Sequence, residues 1–288
     1  MIEFEAASVV VPTADGAATI LQPTTLRLAE HRISIIGANG SGKSTLARLC
    51  NGLITPSSGR VRVRAGHDGE LAGAVSQGQA VRTTHNDGAG WLDTAQQGAQ
   101  VRRQVGFMFT DPAAQLIMPT AIEDVALSLR RSHKVKAQRM AAAAAALDRF
   151  GLSHLADRSV HTLSGGQRQL LALASVLAAE PTVLIADEPT TLLDLRNSLR
   201  IGQVLMGLPQ QVIVVTHDLE LAAQADRTIV VDDARVVFDG APAAAIDFYR
   251  ALITGQPPTQ APAGQRPAGA STQTPTQSLT DQAPAGSM

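Results

Sequence analysis

The sequence predicts an α/β fold built around a mainly parallel sheet. Short apolar runs, several of them rich in β-branched residues, alternate with longer segments that have helical periodicity. One of the early runs leads through a glycine-rich loop directly into a helix. With 288 residues, 44% of them hydrophobic, the chain can bury the core of one large α/β domain. Alternation of strands and helices favours parallel pairing, because each helix can cross over the sheet.

The individual elements follow from these patterns in chain order. Arg32–Ile36 (RISII) predicts a buried strand, and a helix is expected from Lys43 to about Asn51. Arg60–Arg64 alternates arginine with valine, which is typical of an edge or two-faced strand. The remaining predicted strands are Val105–Phe109, Val183–Ala186, Val212–Thr216 and Thr228–Val231. The remaining predicted helices are Ala121–Arg131, Lys136–Phe150, Gly165–Ala179 and Leu195–Gly207.

Two segments lack a clear periodicity. Gly66–Gln100 is rich in Gly, Gln, Ala and Asp, and we expect a loosely ordered surface insertion with at most one short strand. The folded domain is expected to end at Ala251. Residues 252–288, which from Gly255 onward consist mostly of Pro, Gly, Gln, Thr, Ser and Ala, are expected to form a disordered tail.

Composition excludes several classes of protein. The net charge is −1, whereas nucleic-acid-binding domains are usually strongly basic, so we expect no nucleic-acid partner. The single cysteine, Cys50, rules out an internal disulfide and is expected to be a small buried hydrophobe in a reducing compartment. No run approaches the ~18 consecutive apolar residues of a membrane span. A role at a membrane would therefore require docking on other subunits.

The glycine-rich loop carries the first chemical motif. Gly37–Ser44 matches G-x-x-x-x-G-K-[ST], between a predicted strand and a helix. In such a loop, successive backbone N–H groups and the helix N-terminus face phosphate groups. Lys43 is expected to reach the β- and γ-phosphates of ATP, and Ser44 to offer its hydroxyl to Mg²⁺. The predicted nucleotide-binding residues here are Gly37, Ala38, Asn39, Gly40, Ser41, Gly42, Lys43, Ser44 and Thr45.

Polar residues follow two other predicted strands. Val183–Pro189 reads VLIADEP, which places Asp187 at the end of a buried strand, where it can hold Mg²⁺ through water. Glu188 is then expected to orient or deprotonate the attacking water. His217 directly follows Val212–Thr216 and is expected to contact the γ-phosphate and that water. Lys43, Glu188 and His217 are thus the predicted catalytic residues.

Leu163–Gln167 (LSGGQ) resembles the signature sequence of ABC ATPases. Together with Gly37–Thr45, Val183–Pro189 and His217, in that order, the resemblance covers roughly Met1–Ala251. It implies a dimer in which Ser164, Gly165, Gly166 and Gln167 act on the nucleotide of the opposite subunit, with Asp194 in the loop that crosses between the two sites. It also implies an antiparallel β subdomain and a helical signature subdomain, the latter within residues 111–180.

Within that family, two further stretches resemble the ATPases of energy-coupling-factor (ECF) importers. They are Asn51–Gly59 (NGLITPSSG) and Gln115–Val125 (QLIMPTAIEDV), and Val105–Arg131 is most similar to the biotin-type systems. The resemblance implies two kinds of partner, an integral membrane coupling subunit and a substrate-binding membrane subunit. It places the chain as a peripheral protein on the cytoplasmic side of the cell membrane. An importer of cobalt or nickel is the alternative.

Two positions depart from the family pattern. The family usually stacks an aromatic residue on adenine, whereas the matching position here is Val11, which offers only an aliphatic contact. The family also places a glutamine near the catalytic water, at the position that is Thr110 here. We expect weaker base selectivity from the first change. From the second we expect slower basal hydrolysis that depends more on a docked partner.

Two other readings of the family resemblance remain open. A soluble ABC-type ATPase in DNA repair or translation usually carries a long coiled coil or two tandem cassettes, and neither pattern occurs in this sequence. A non-hydrolysing regulatory subunit would be expected to lack part of the set Lys43, Asp187, Glu188 and His217, which is intact. As the docking segment for a membrane partner we favour Gln115–Pro119. The basic residues between Arg130 and Arg139 are read as a solvated helix face.

Overall fold

The computed structural model describes residues 1–14, 16–64 and 90–255, which form two sheets and a group of helices. The strands are β1 (Ile2–Thr13), β2 (Gly16–Leu28), β3 (Arg32–Ile36), β4 (Ser58–Arg64), β5 (Trp91–Asp93), β6 (Val105–Met108), β7 (Val183–Asp187), β8 (Gln211–Val215), β9 (Arg227–Asp232) and β10 (Arg235–Gly240). The helices are α1 (Lys43–Asn51), α2 (Gly98–Gln104), α3 (Ala121–Ser128), α4 (Lys136–Arg149), α5 (Gly165–Leu177), α6 (Leu195–Met206), α7 (Leu219–Ala222) and α8 (Pro242–Thr254).

A six-stranded sheet forms the centre of the domain. Its order is β10-β9-β3-β8-β7-β6, and every pair is parallel except β9 with β10. All five residues of β3 and of β7 are buried, as expected for parallel strands covered on both faces. The carboxyl ends of β3, β7 and β8 meet at one edge of this sheet, and the three predicted catalytic segments follow those ends.

A second, antiparallel sheet has the order β2-β1-β4-β5. The long strands β1 and β2 were not predicted from the sequence, because their alternation is interrupted by bulges. Register shifts occur between Phe4 and Ala7, and Ala6 adopts a left-handed conformation with φ 47°. A Cβ on Gly59 would lie 2.2 Å from the carbonyl oxygen of Ala6, so the bulge is accommodated by a glycine on the neighbouring strand.

The helical region packs on one face of the central sheet. Helices α3, α4 and α5 share a core that includes Val125, Leu147 and Leu171, and this core continues to Leu184 on β7 and Leu205 on α6. The opposite face is covered by α1 and the antiparallel sheet, which form a second core around the same strands. The described strands of this sheet are therefore packed on both faces.

Several boundaries differ from the sequence prediction. Residues 90–100, expected to be loosely ordered, contain β5 and the start of α2, which begins at Gly98; the remainder of that predicted insertion lies mostly outside the described residues. Helix α8 continues to Thr254, beyond the expected domain end at Ala251, and the tail after residue 255 is also outside the described part. Helix α3 stops at Ser128 rather than Arg131. No helix among residues 1–14, 16–64 and 90–255 is long and apolar enough to cross a membrane.

Candidate nucleotide-binding site

The loop between β3 and α1 folds tightly against the rest of the domain. Gly37 has φ +152°, and a Cβ there would lie 2.0 Å from the carbonyl oxygen of Val231 on β9. Gly42 has φ +105°, and a Cβ would lie 2.8 Å from the carbonyl oxygen of Ile20 on β2. Neither position can hold a side chain without moving backbone, which explains why the loop needs glycine at both.

Lys43 is the first residue of α1, directly after this loop, and is only 5% exposed. Its Nζ donates to the carbonyl oxygen of Ala38 at 2.8 Å. Desolvation lowers the pKa of Lys43, against the opposing field of Glu188 and Asp187. The buried hydroxyl of Ser41 has no hydrogen-bond partner among the described residues. A desolvated ammonium group beside an unsatisfied hydroxyl fits an anionic ligand such as a phosphate.

Asp187 lies at the end of β7 and faces the first turn of α1. Its side chain is 2% exposed, and Oδ1 accepts a hydrogen bond from Ser44 Oγ at 3.0 Å. The Arg48 guanidinium lies 3.9 Å from Oδ2 but is itself half-exposed. Desolvation raises the pKa of Asp187, although the Ser44 hydrogen bond opposes that shift. A carboxylate next to a hydroxyl is the kind of oxygen pair that Mg²⁺ uses together with water and phosphate.

Glu188 turns away from the strand with a left-handed backbone, φ 52°, fixed by a hydrogen bond from its N–H to the carbonyl oxygen of Val215 (2.8 Å). Glu188 Oε2 accepts a hydrogen bond from Thr191 Oγ1 at 2.9 Å and lies 2.7 Å from His217 Nδ1. Non-glycine residues rarely adopt this conformation, and such strain is often found at active sites. The Glu188 carboxylate is therefore held in a defined position at the carboxyl edge of the central sheet.

The signature segment begins helix α5. Ser164 is the N-cap: its Oγ accepts from the Gln167 N–H at 3.3 Å, and its own N–H donates to Gln167 Oε1 at 2.9 Å. Ser164 is exposed, whereas Gly166 is buried, and a Cβ on Gly166 would lie 2.5 Å from Asn197 Oδ1. A helix N-terminus with an exposed serine can meet an anion from outside the chain.

Asp194 caps helix α6 beside the signature segment. Its Oδ1 accepts from the Asn197 N–H at 2.8 Å, and its Oδ2 accepts from Asn197 Nδ2 at 2.9 Å. Asn197 therefore holds Asp194 and touches Gly166 at the same time. The sequence did not point to Asn197, although its position three residues after an acidic N-cap resembles a capping box. Nor did the sequence give a role to Gln169, whose buried Nε2 donates to the Pro189 carbonyl oxygen at 2.8 Å.

The two positions that depart from the family pattern lie apart from this cluster. Val11 is 37% exposed near the end of β1, and Thr110 is half-buried just after β6. Next to Thr110, the N–H of Phe109 donates to Gln115 Oε1 at 3.2 Å. Within the described part of the chain, no hydrogen bond or ion pair connects Val11, Thr110 or Ser164–Gln167 to the Lys43–Asp187 cluster.

Comparison with known proteins identifies close relatives by sequence. The profile of the ABC transporter family matches residues 22–191. The biotin transport ATP-binding protein BioM of Rhizobium etli is 41% identical over 251 residues, which cover 87% of this chain and 98% of BioM. The energy-coupling factor transporter ATP-binding protein EcfA1 of Halalkalibacterium halodurans is 33% identical over 214 residues, which cover 73% of this chain and 68% of EcfA1.

Solved structures with a similar fold include two ATP-binding cassettes. The ATP-binding cassette MJ0796, solved as a dimer in a post-hydrolysis state with ADP and Pi, superposes with a TM-score of 0.68 at 26% identity, covering 84% of this chain and 99% of that one. The cbiO1 protein from Clostridium perfringens, part of the ABC transporter complex cbiONQ, gives a TM-score of 0.66 at 28% identity, covering 88% of this chain and 93% of that one.

Proposed function

The chain belongs to the ABC transporter family and is an ATP-hydrolysing subunit of such a transporter, and on that premise we propose that it powers an ECF importer of biotin. The observation that carries the proposal is the 41% identity to BioM, which extends over nearly the whole of that protein. The relation to EcfA1 supports the ECF type of transporter. Biotin itself would be recognised by a separate membrane subunit.

We further propose that ATP is held between two cassettes. Lys43 and the loop Gly37–Thr45 would bind the phosphates in one subunit, and Ser164, Gly165, Gly166 and Gln167 of the second subunit would cover the γ-phosphate. Two features support this arrangement: Ser164 caps a 13-residue helix and is exposed, and the cassette MJ0796 was solved as a dimer. Asp194, held by Asn197 next to Gly166, would lie where the two sites face each other.

The proposed hydrolysis uses the residues at the carboxyl edge of the sheet. Mg²⁺, held by Ser44 and through water by Asp187, would supply charge neutralisation at the β- and γ-phosphates. Glu188 would accept the proton of the attacking water, because its carboxylate is fixed by Thr191 and faces the cleft beside His217. His217 would hydrogen-bond the γ-phosphate through its exposed ring, and Lys43 would stabilise the charge that develops there.

The membrane partners are proposed to dock on the segment Gln115–Pro119. Ile117 is 70% exposed, whereas the preceding Leu116 is 6% exposed and packs into the helical core. The exposed Ile117 side chain, in a loop whose backbone is held by hydrogen bonds to Asp124, would suit contact with an apolar helix of a coupling subunit. The cassette would accordingly work as a peripheral protein on the cytoplasmic side of the membrane.

The test is uptake of labelled biotin by the host organism after deletion of this gene. We expect uptake to fall and to be restored by the wild-type chain but not by Glu188→Gln, which keeps the size of the side chain and removes the base. Labelled cobalt and nickel serve as parallel substrates. If biotin uptake is unchanged and uptake of cobalt or nickel is lost, the imported substrate is the metal and not biotin. Unchanged uptake of all three would refute an ECF role of either kind.

A further inference from the structure

Asp124 on helix α3 is a buried carboxylate that the nucleotide site does not use. Its side chain is 4% exposed, and among the described residues no cation forms an ion pair with it. Instead it accepts three hydrogen bonds. Oδ1 accepts from the N–H groups of Ile117 (2.9 Å) and Met118 (3.1 Å), and Oδ2 accepts from Ser175 Oγ at 2.9 Å. A buried carboxylate that relies on three neutral donors requires all three in place.

These donors belong to two separate parts of the molecule. Ile117 and Met118 lie in the loop between β6 and α3, and this loop exposes the Ile117 side chain. Ser175 lies near the C-terminal end of helix α5, whose N-terminus carries Ser164. Asp124 thus fastens the exposed loop to the helix that presents the signature segment. The link joins groups that are 51 residues apart in sequence.

Helix α5 is fastened at a second point to the catalytic strand. Gln169 Nε2 donates to the carbonyl oxygen of Pro189, which directly follows Glu188. Helix α5, with 13 residues and a length of about 20 Å, therefore contacts Asp124 near its C-terminal end, the catalytic segment in its first half and solvent at its Ser164 end. A displacement of the loop cannot leave α5 in place without breaking a buried hydrogen bond to a charged group.

We propose that Asp124 is a positioning residue that couples docking on the Ile117 loop to the placement of Ser164 through Ser175 and helix α5. The inference rests on the proposed function, because the docked partner is the coupling subunit of the importer. The Asp124 carboxylate then has two roles, one for each of its oxygen atoms. The Oδ1 side shapes the loop, and the Oδ2 side transmits its position to α5.

Ser175→Ala tests the second role alone, since both hydrogen bonds to Oδ1 stay intact. We expect the isolated cassette to retain its ATPase rate within about twofold, while stimulation on assembly with its membrane subunits falls at least about fivefold through kcat, with KM for ATP unchanged. Asp124→Asn is expected to retain most of the stimulation, because its amide can still accept from the loop and donate to the Ser175 hydroxyl. Asp124→Leu should lose it.

Ser153→Ala is the matched control, because Ser153 Oγ donates to an exposed carboxylate, Asp148 Oδ1, at 2.8 Å. It should leave stimulation unchanged. If Ser175→Ala is stimulated as strongly as wild type, the coupling role is overturned and the importer function stands. If Ser175→Ala lowers the isolated and the assembled rates equally, the residue is merely structural and the proposal also fails. If the wild-type chain does not assemble with any membrane subunit, both the function and the coupling fail.

Discussion

Replacing Asp187 by asparagine is predicted to stabilise the nucleotide-free protein while impairing its reaction. The carboxylate is 2% exposed, so it has lost its hydration, and that loss costs several kcal/mol, roughly 4. It regains about 2 kcal/mol from the Ser44 hydrogen bond and at most about 0.5 kcal/mol from the half-exposed Arg48 at 3.9 Å. Asparagine keeps a neutral acceptor for Ser44 and carries no charge. The expected net gain is about 1–2 kcal/mol.

This gain should depend on pH with a definite sign. Because burial raises the pKa of Asp187, the native state binds more protons than the unfolded state between the unfolded and native pKa values. The stability that wild type owes to this group is therefore present at low pH and is lost as pH rises through that window. The advantage of Asp187→Asn should be complete at pH 7.5 and should shrink as pH is lowered toward about 4, the ordinary pKa of an aspartate.

Thermal unfolding with and without ligand is the assay. The apo variant should melt about 3–6 °C above wild type at pH 7.5. With Mg²⁺ and a non-hydrolysable ATP analogue at 100 times Kd, wild type should gain about 2.7 kcal/mol, whereas the variant should gain little. ATPase turnover should fall about 10- to 100-fold, as expected when a residue that orients metal-bound water is lost. Asp148→Asn, which changes an exposed carboxylate, should leave the apo melting temperature unchanged.

Two results would refute this reasoning. A lower apo melting temperature for Asp187→Asn would show that the carboxylate stabilises the nucleotide-free protein and that the cost of its desolvation is smaller than about 4 kcal/mol. If Asp187→Asn raises the melting temperature by the same amount with Mg²⁺ and the ATP analogue as without them, Asp187 does not take part in metal and nucleotide binding. The second result would place the magnesium function on a different residue, even though the position of Asp187 at the end of β7 would be unaffected.

Three further predictions concern other residues of the site. Thr110→Gln should raise the ATPase rate of the isolated cassette about fivefold, which is equivalent to one added hydrogen bond of ~1 kcal/mol. If the variant hydrolyses ATP at the wild-type rate both alone and when assembled with its partners, Thr110 does not limit basal hydrolysis. Val11→Phe should lower KM for ATP about fivefold through adenine stacking with kcat unchanged, which steady-state kinetics with ATP and GTP would check. Gly166→Ala should destabilise the fold by about 1–2 kcal/mol in denaturant unfolding, because the added Cβ would displace Asn197 from Asp194. The same change should be neutral in a protein that already carries Asn197→Ala. An equal loss of stability in both proteins would contradict the contact between Gly166 and Asn197.

The parts of the site that were predicted from sequence are those whose chemistry is written in adjacent residues. Lys43 follows a glycine loop, and Asp187 ends an apolar run, so strand-end position and residue type predicted a nucleotide site that includes both residues. The contact of Ser44 with Asp187 at 3.0 Å is consistent with that reading. Strand β7 could be predicted because it is short, apolar and buried throughout. Such patterns are local, and they can be recognised without knowing which strands pair with one another.

What the sequence did not reveal depends on contacts between distant residues. The bulge at Ala6 breaks the alternation of β1, and only pairing with β4 and Gly59 makes it stable. Asp124 reads as one acidic residue in the first turn of a helix, which is a common helix-dipole position. Its burial and its bond to Ser175 appear only when α3 packs on α5. Asn197 likewise gains meaning from Gly166, which lies 31 residues away in the chain.

Some buried polar groups in this domain are paired within the fold, and others are not, and the second kind includes groups of the predicted nucleotide site. Asp124 and Gln169 are buried and hydrogen-bonded to other elements of the fold, so they stabilise it without a ligand. Ser41 has no partner, and Lys43 and Asp187 both have pKa values displaced by desolvation. Together with the left-handed backbone of Glu188, these groups raise the free energy of the nucleotide-free site. A bound Mg²⁺–nucleotide would supply partners to Ser41, Lys43 and Asp187, so nucleotide binding should stabilise this edge of the sheet more than any other part of the domain.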